Sequence, residues 1–187
     1  MKKLDGFKEI HNMGLPHPKW EFIKNHSDLK YVGSDDEYIG WTIRTCLDEG
    51  GDEFYLPHAD WLKKEEIEKK IREFKEKIGE EATFVVYPSW EFNKSANIMF
   101  TEDKIVVEAV KGTISKLLYG GCPEFVAVFS RSSLPMKLHS EGDESLLTED
   151  EIKMLIKLSN KIEGNKILQL SHTKKGKYFF HDLRELK

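Results

Sequence analysis

The sequence lacks most of the features that would assign a protein to a class at once. Its two cysteines, Cys46 and Cys122, are too few for a disulfide scaffold, and we expect reduced thiols in a cytoplasmic protein. No apolar run approaches the roughly 18 residues of a membrane-spanning helix, and the polar start is unlike a signal peptide. No P-loop, dinucleotide fingerprint, nucleophile elbow or zinc-type cysteine pair occurs. We therefore expect neither a membrane protein nor an enzyme recognisable from one short motif.

The charge balance also argues against nucleic acid as a partner. The chain has 29 Lys and Arg against 33 Asp and Glu, a formal net charge of −4, and shows no cluster of arginines. A dedicated nucleic-acid binder would carry a basic stripe. With 187 residues, 39% of them hydrophobic and 11% aromatic, the chain is long and apolar enough to bury a core. One domain, or two small lobes sharing a cleft, is expected.

Hydrophobic periodicity predicts short helices between strands that pair mostly as hairpins, which is an α+β fold. The clearest helix is 63–78, where apolar residues recur every three or four positions, and Thr148 and Glu151 form a capping box that opens another. Two further helices are predicted at 5–13 and 113–119. Strands are predicted at 20–23, 39–46, 84–87 (ending at Pro88), 97–100, 105–110, 124–130, 166–172 and 177–183. The polar segment 25–38 is expected to be a loop.

The last predicted hairpin contains the most informative polar residues. If its loop is Lys175-Gly176, Gln169 lies opposite Asp182, and Arg184 follows two positions later on the same face. Two oxygen ligands beside a guanidinium suit Mg²⁺ and phosphate, because Mg²⁺ takes hard oxygens from one or two side chains together with phosphates. The alternative is an ordinary polar hairpin face with an Asp–Arg pair of little energetic weight.

Arg44 is a second candidate, since it lies within the largely apolar and β-branched segment 41–45. Such an arginine must either extend to solvent or bind an anion, and the sequence leaves both open. The seven histidines are scattered along the chain and are more typical of surface or hydrogen-bonded side chains than of ligands. A phosphorylatable histidine in Ser171-His172-Thr173 rests on one tripeptide alone.

Short motifs follow one another along most of the chain. Lys3 precedes the first of them by eleven residues. In order they are Gly14-Leu15-Pro16-His17-Pro18, Ile43-Arg44-Thr45-Cys46, Phe84-Val85-Val86-Tyr87, Ser95-Ala96-Asn97-Ile98-Met99-Phe100-Thr101, Ile105-Val106-Val107-Glu108-Ala109-Val110-Lys111-Gly112, Leu118-Tyr119-Gly120-Gly121, Leu147-Thr148-Glu149-Asp150-Glu151-Ile152, Lys161-Ile162-Glu163, Ile167-Leu168-Gln169-Leu170 and His181-Asp182-Leu183-Arg184-Glu185. Together they resemble the ATP-binding domain of phosphoenolpyruvate synthase and pyruvate phosphate dikinase, a divergent ATP-grasp fold.

The resemblance implies a single compact ATP-grasp-like domain over 1–187, with an antiparallel sheet, flanking helices and two lobes at about 1–82 and 83–187. It implies ATP and Mg²⁺ as cofactors, with ATP between the lobes. The site residues that it implies fall into three groups: Lys3 and Arg44 for the phosphates, the backbone around Val86, Tyr87 and Ser89 for adenine, and Gln169 and Asp182 for Mg²⁺. Arg44 and Arg184 would be the catalytic cations, with Arg184 steadying the phosphate or the aspartate.

The departures from the family pattern leave the activity open. Gln169 stands where the family has a metal-binding glutamate and Asp182 where it has glutamine, while Thr45 and Cys46 replace two serines. The first lobe is shortened, mainly between positions 22 and 39. The 187 residues contain neither the phosphohistidine domain nor the phosphoenolpyruvate-binding barrel, so we do not expect the full synthase reaction from this chain alone.

Three functions follow as hypotheses. The first is an ATP-dependent phosphotransferase or ligase that acts on a separate acceptor, either a histidine-bearing protein or a small carboxylate. The second is a degenerate domain that keeps the fold and binds a protein partner. The third is a small-molecule binding protein without turnover.

Overall fold

The computed structural model describes residues 2–30, 38–48 and 56–186, so part of the predicted 25–38 loop, residues 31–37, lies outside the described residues. The helices are α1 (Lys3–Asn12), α2 (Lys64–Ile78), α3 (Ser115–Gly120) and α4 (Glu149–Ser159), with 3-10 turns at His26–Asp28 and Glu144–Leu146. The strands are β1 (Glu21–Ile23), β2 (Gly40–Leu47), β3 (His58–Leu62), β4 (Ala82–Ser89), β5 (Phe92–Phe100), β6 (Lys104–Lys111), β7 (Phe125–Ser130), β8 (Lys137–Gly142), β9 (Lys166–Thr173) and β10 (Tyr178–Glu185).

The chain divides into two compact units, each built on one antiparallel sheet. The first unit comprises Met1–Lys8 and His17–Glu91, and its strand order is β1-β4-β2-β3. The second unit comprises Glu9–Pro16 and Phe92–Lys187, and its strand order is β10-β9-β5-β6-β7-β8. Antiparallel sheets with separate helices confirm the α+β prediction. No helix in the described ranges is long and apolar enough to cross a membrane.

The sheet of the first unit is covered on both faces, which explains why β4 is buried along its whole length. On one face α2 packs Ile67, Ile71 and Phe74 into the core, as their spacing predicts. On the other face Phe7 of α1 packs with Cys46 and with apolar residues of β4. Thr42 and Arg44 lie on this second face, because they alternate with Ile43 along β2.

The sheet of the second unit has an apolar face and a polar face, because side chains alternate along each strand. The apolar face holds fully buried residues that include Ile98, Phe100, Ile105, Val107, Phe125, Phe129, Leu168, Leu170, Phe180 and Leu183. The other face holds the buried polar side chains Ser95, Asn97, Gln169, Ser171 and Asp182. Buried polar groups require partners, so this second face is where a ligand site is to be sought.

Several strand predictions differ from the structure; β5, predicted over 97–100, begins at Phe92. The prediction that the strand 84–87 stops at Pro88 is wrong, since β4 continues to Ser89 and Pro88 pairs with Trp41. The proline is tolerated there because the pairing of β4 with β1 stops at Val86, which leaves one side of the strand without a β1 partner at Pro88. The edge strands β3 and β8 have mostly exposed side chains and no hydrophobic alternation, so the sequence pattern does not predict them.

A buried ion cluster ties the start of α4 to the second sheet. The predicted capping box is present, and Glu151 accepts bonds from the backbone N–H and hydroxyl of Thr148, both at 2.8 Å. The same carboxylate contacts Lys94 Nζ at 2.6 Å and His172 Nε2 at 2.9 Å. Burial alone would raise the pKa of Glu151, but the bonds from His172, Lys94 and Thr148 outweigh burial and lower it to about 2.

We predict that Glu151→Gln lowers the free energy of unfolding at pH 7 by about 3 kcal/mol, because it leaves Lys94 without its buried counter-ion. Since the folded-state pKa is depressed, this stabilisation is complete above about pH 4.5 and is lost as the pH falls towards 2. Urea denaturation at pH 7 and pH 3 measures both effects. The exposed neighbour Glu149 provides the control: a Glu149→Gln variant that lost as much stability at pH 7 would contradict the assignment.

Candidate functional site

Three polar side chains form a row across adjacent strands of the second unit. Asp182 on β10 lies opposite Gln169 on β9, and Gln169 lies opposite Asn97 on β5. All three are at least nine-tenths buried. The row continues to Glu108 on β6, which is half-buried. We call Asp182, Gln169 and Asn97 the polar row. The predicted pairing of Gln169 with Asp182 is confirmed. Asn97 is an addition, because the sequence analysis assigned it no ligand role.

A β-bulge sets this pairing. From Tyr178 to Phe180 the hairpin pairs one residue out of the predicted register, so that Phe180 lies opposite Leu170. One extra residue, His181, then shifts the register and brings Asp182 opposite Gln169. A shift of one residue moves a strand's side chains to the other face of the sheet. If His181 paired regularly with Gln169, Asp182 would lie opposite Leu168, on the apolar face.

The two carboxylate oxygens of Asp182 have different surroundings. Oδ2 accepts a bond from Arg184 Nε at 2.7 Å and also contacts the second guanidinium nitrogen of that residue. Oδ1 is buried and has no hydrogen-bond partner among the described residues. A buried acceptor without a partner costs roughly 1–3 kcal/mol, and more when it is charged. The geometry therefore calls for a donor or a cation at Oδ1.

The polar row can supply oxygen ligands to one cation. Gln169 donates from Nε2 to Asn97 Oδ1 at 3.3 Å, which leaves Gln169 Oε1 outside that bond. In the described part of the chain, no three His, Cys, Asp or Glu side chains come together as a metal site. One carboxylate oxygen and an amide oxygen suit Mg²⁺ only when phosphate oxygens and water complete its octahedron. The oxygen ligands of the polar row therefore suit Mg²⁺ that is bound together with a phosphorylated ligand.

A chain of hydrogen bonds lies beside the polar row. Ser95 donates its hydroxyl proton to the carbonyl of Gly112 at 2.7 Å, so it must accept from Ser171, whose Oγ is 2.8 Å away. Ser171 has then used its own proton and must accept from His181 Nε2 at 2.9 Å. The carbonyl of Gly112 thereby fixes a proton on Nε2 of the bulge residue.

Arg44 is held by a second polar cluster, in the first unit. Its guanidinium contacts Asp60 Oδ1 at 3.2 Å and donates to the hydroxyl of Tyr87 at 3.3 Å. Asp60 also accepts from Thr42 Oγ1 at 2.9 Å, and Thr42 in turn bonds Ser89 Oγ at 2.6 Å. Arg44 therefore neither extends freely to solvent nor lies buried alone. It is fixed on the sheet face with about a quarter of its side chain exposed.

The strand opposite Arg44 carries a bulge and a histidine. Asp60 and Trp61 both lie opposite Thr42, and Trp61 has a φ of 59°. Gly40 is required beside this bulge, because a Cβ there would lie 2.7 Å from the carbonyl carbon of Trp61. His58 pairs with Arg44 across the strands; partial burial and the charge of Arg44 lower its pKa, while Asp60 acts in the opposite direction.

The remaining predicted nucleotide ligands are all in the first unit. Lys3 is half-buried at the start of α1, and its charge also acts on His58. The side chain of Val86 is enclosed in the core beneath α2, so only its backbone could meet a ligand. Tyr87 and Ser89 lie in the Arg44 cluster already described. The structure thus groups the predicted phosphate and adenine ligands Arg44, Tyr87 and Ser89, and separately groups Gln169, Asp182 and Arg184.

The sequence analysis gave no site role to three residues of these clusters, Asn97, Asp60 and Thr42. Asn97 carries no signal of its own, since its proximity to Gln169 arises from the pairing of β5 with β9 over a long sequence separation. Asp60 lies on β3, which lacks hydrophobic alternation, and it reaches Thr42 and Arg44 from beside the bulge. An i, i+2 pattern in Asp182-Leu183-Arg184 was the one local signal that could be read directly, and it is confirmed by their contact.

Comparisons with known proteins give the fold. No protein-family model matches the sequence, and no curated protein matches it. Among solved structures, the ADP complex of PurK, N5-carboxyaminoimidazole ribonucleotide synthetase, is similar over 100% of this chain and 45% of its own, with a TM-score of 0.56 and 8% identity. Macrocyclase MdnC from Microcystis aeruginosa MRC, bound with precursor peptide MdnA, is similar over 97% of this chain and 51% of its own, with a TM-score of 0.54 and 13% identity.

An L-amino acid ligase from Bacillus licheniformis is also similar, over 97% of this chain and 42% of its own, with a TM-score of 0.51 and 11% identity. The chain thus spans about half the length of these proteins. The likenesses confirm the predicted α+β, ATP-grasp-like fold with antiparallel sheets and flanking helices. They involve a synthetase, a macrocyclase and a ligase, so they do not support the narrower phosphoenolpyruvate synthase family.

The hydrogen-bond chain predicts the tautomer of His181. Neutral His181 should carry its proton on Nε2, because Ser171 has no proton left to donate. Long-range ¹H–¹⁵N correlation spectra distinguish the two tautomers. Removing the hydroxyl with Ser95→Ala frees Ser171 and should allow the Nδ1–H form to appear; a wild-type protein already in the Nδ1–H form would contradict the proposed direction of the chain.

Proposed function

We propose that this chain binds ATP together with Mg²⁺ and acts as an ATP-dependent ligase or phosphotransferase on a separate acceptor. The observation that carries the proposal is Asp182, whose buried Oδ1 has no partner while a guanidinium holds Oδ2. A buried carboxylate oxygen and a buried side-chain amide, with a partly exposed arginine beside them, are groups that suit a metal–phosphate ligand. The ATP-grasp-like fold supports a nucleotide as that ligand.

The proposal gives each group a role. Asp182 Oδ1 and Gln169 Oε1 would hold Mg²⁺, which supplies neutralisation of the phosphate charge. Arg184 would steady both Asp182 and a phosphate oxygen, since a guanidinium can serve both. Arg44 and Lys3 would bind phosphate, and the β4 backbone around Tyr87 and Ser89 would receive the adenine edge. Phosphoryl transfer depends on such positioning and charge neutralisation more than on covalent participation by the protein.

The choice between ligase and phosphotransferase depends on the acceptor. The three similar structures are of a synthetase, a macrocyclase and a ligase, which favours ligation. The resemblance of the sequence motifs to phosphoenolpyruvate synthase favours phosphoryl transfer to a histidine-bearing protein or a small carboxylate. Either activity needs ATP bound with its phosphates near the acceptor, so the same nucleotide site serves both.

A degenerate domain that binds a protein or a small molecule without turnover is the second candidate. One observation favours it: Asp182 is the only carboxylate of the polar row, and Arg184 already satisfies one of its oxygens. A site that had lost catalysis could keep this ion pair for stability alone. The two candidates differ in what ATP does to the folded protein.

Thermal unfolding with ATP and Mg²⁺ tests the proposal. We expect the midpoint to rise by about 5 to 10 °C when ATP reaches a hundredfold excess over its Kd, and the rise should require the metal. Asp182→Asn should remove the metal-dependent part and Arg44→Gln should reduce the whole shift. Asp150→Asn, an exposed carboxylate in the same unit, is the control. No shift at millimolar ATP would favour the degenerate domain.

A further inference from the structure

The net charge of the polar row, together with Arg184, bears on how the site can receive a metal ion. Asp182 brings one negative charge and Arg184 brings one positive charge to the same carboxylate, while Gln169 and Asn97 are neutral. Glu108 is the next charge along the row, three strand spacings or about 14 Å from Asp182. At that distance solvent ions screen most of its effect. The row is therefore electrically balanced without any bound cation.

Because Arg184 already neutralises Asp182, binding of a divalent cation without an accompanying anion is unfavourable. A cation at Oδ1 would share one carboxylate with the guanidinium on Oδ2, and the two positive charges would repel each other at close range. The side chain of Asp182 is only 6% exposed, so water screens this repulsion poorly. A polyphosphate changes the balance, because it adds several negative charges and offers oxygens to both the cation and Arg184.

We propose that Arg184 acts as a built-in cation that prevents Asp182 from binding a divalent metal alone, so that the metal enters only with a polyphosphate. This inference rests on the proposed function, since it describes how the same site receives its metal. Arg184 is then a positioning residue. It contacts Asp182 before the ligand binds, and it contacts both Asp182 and a phosphate oxygen afterwards. The order of binding follows from one arginine two residues beyond the metal ligand.

The inference separates the charge of Arg184 from its packing. A purely structural Arg184 would hold β10 in place, and its removal would lower stability without creating a metal site. If Arg184 instead excludes the metal by its charge, its removal should increase the affinity of the protein for the metal. Lysine in the same place keeps the charge and should still exclude it, whereas glutamine keeps polarity and loses the charge.

The probe is Mn²⁺ in the absence of nucleotide. Electron paramagnetic resonance measures the concentration of the free ion and hence the amount bound. Wild-type protein and Arg184→Lys should bind Mn²⁺ at Asp182 at least about tenfold more weakly than Arg184→Gln does. The double variant Arg184→Gln with Asp182→Asn should lose that gain. Mn²⁺ should also raise the unfolding midpoint of Arg184→Gln but not of the wild type, which shows that the ion binds the folded protein.

Wild-type protein provides the second arm with inorganic tripolyphosphate, which should produce Mn²⁺ binding that neither component shows alone. Wild type binding bare Mn²⁺ as tightly as folded Arg184→Gln would overturn the inference, as would a gain that survives in the double variant. If Arg184→Gln failed to fold, bare Mn²⁺ binding to wild type through Asp182 would still overturn it. Failure of ATP to bind wild type, with the Arg184→Gln gain intact, would reject the proposed function and leave this inference standing.

Discussion

The alternation of side chains along β10, interrupted once at His181, is the constraint on which the candidate site depends. If His181 paired regularly, opposite Gln169, Asp182 would lie opposite Leu168, on the face occupied by Leu170 and Phe180. A lone carboxylate on that apolar face would be strongly destabilising. The bulge instead adds Asp182 to the polar face, beside Gln169, and Arg184 follows it there. The hydrogen bond from His181 to Ser171 fixes the bulge residue on the same face.

The first unit uses the same device at Arg44. There the bulge at Asp60 and Trp61 lets Ala59 and Leu62 both pack against the core beneath α2, while Asp60 meets Thr42 and Arg44. Each unit thus has a bulge next to a carboxylate that binds an arginine. Bulges often occur where a side chain must be redirected for function, and a bulky residue with positive φ such as Trp61 is strained. Arg184 is fixed by Asp182, which the sequence pattern placed beside it, whereas Arg44 is fixed partly by Asp60, which the pattern did not show.

Sequence patterns predict local structure here better than they predict the site. The helix over α2 and the capping box at Thr148 follow from spacing alone, and both are confirmed. The pairing of Gln169 with Asp182 is also confirmed, but it arises from a hairpin one residue out of register that His181 corrects. Neither the register shift at His181 nor the contact of Asn97 with Gln169 could be predicted from a local pattern, because both depend on how the strands pair.

The most direct test of the proposed site is the position of the metal in crystals grown with ATP and Mn²⁺. Anomalous scattering locates Mn²⁺ without reference to any assumed ligand. We expect a peak at about 2.1 Å from Asp182 Oδ1, with ATP phosphate oxygens in the same coordination sphere. Mn²⁺ and nucleotide bound away from Asp182 and Gln169, or a nucleotide bound with Asp182 still touching nothing but Arg184, would contradict it.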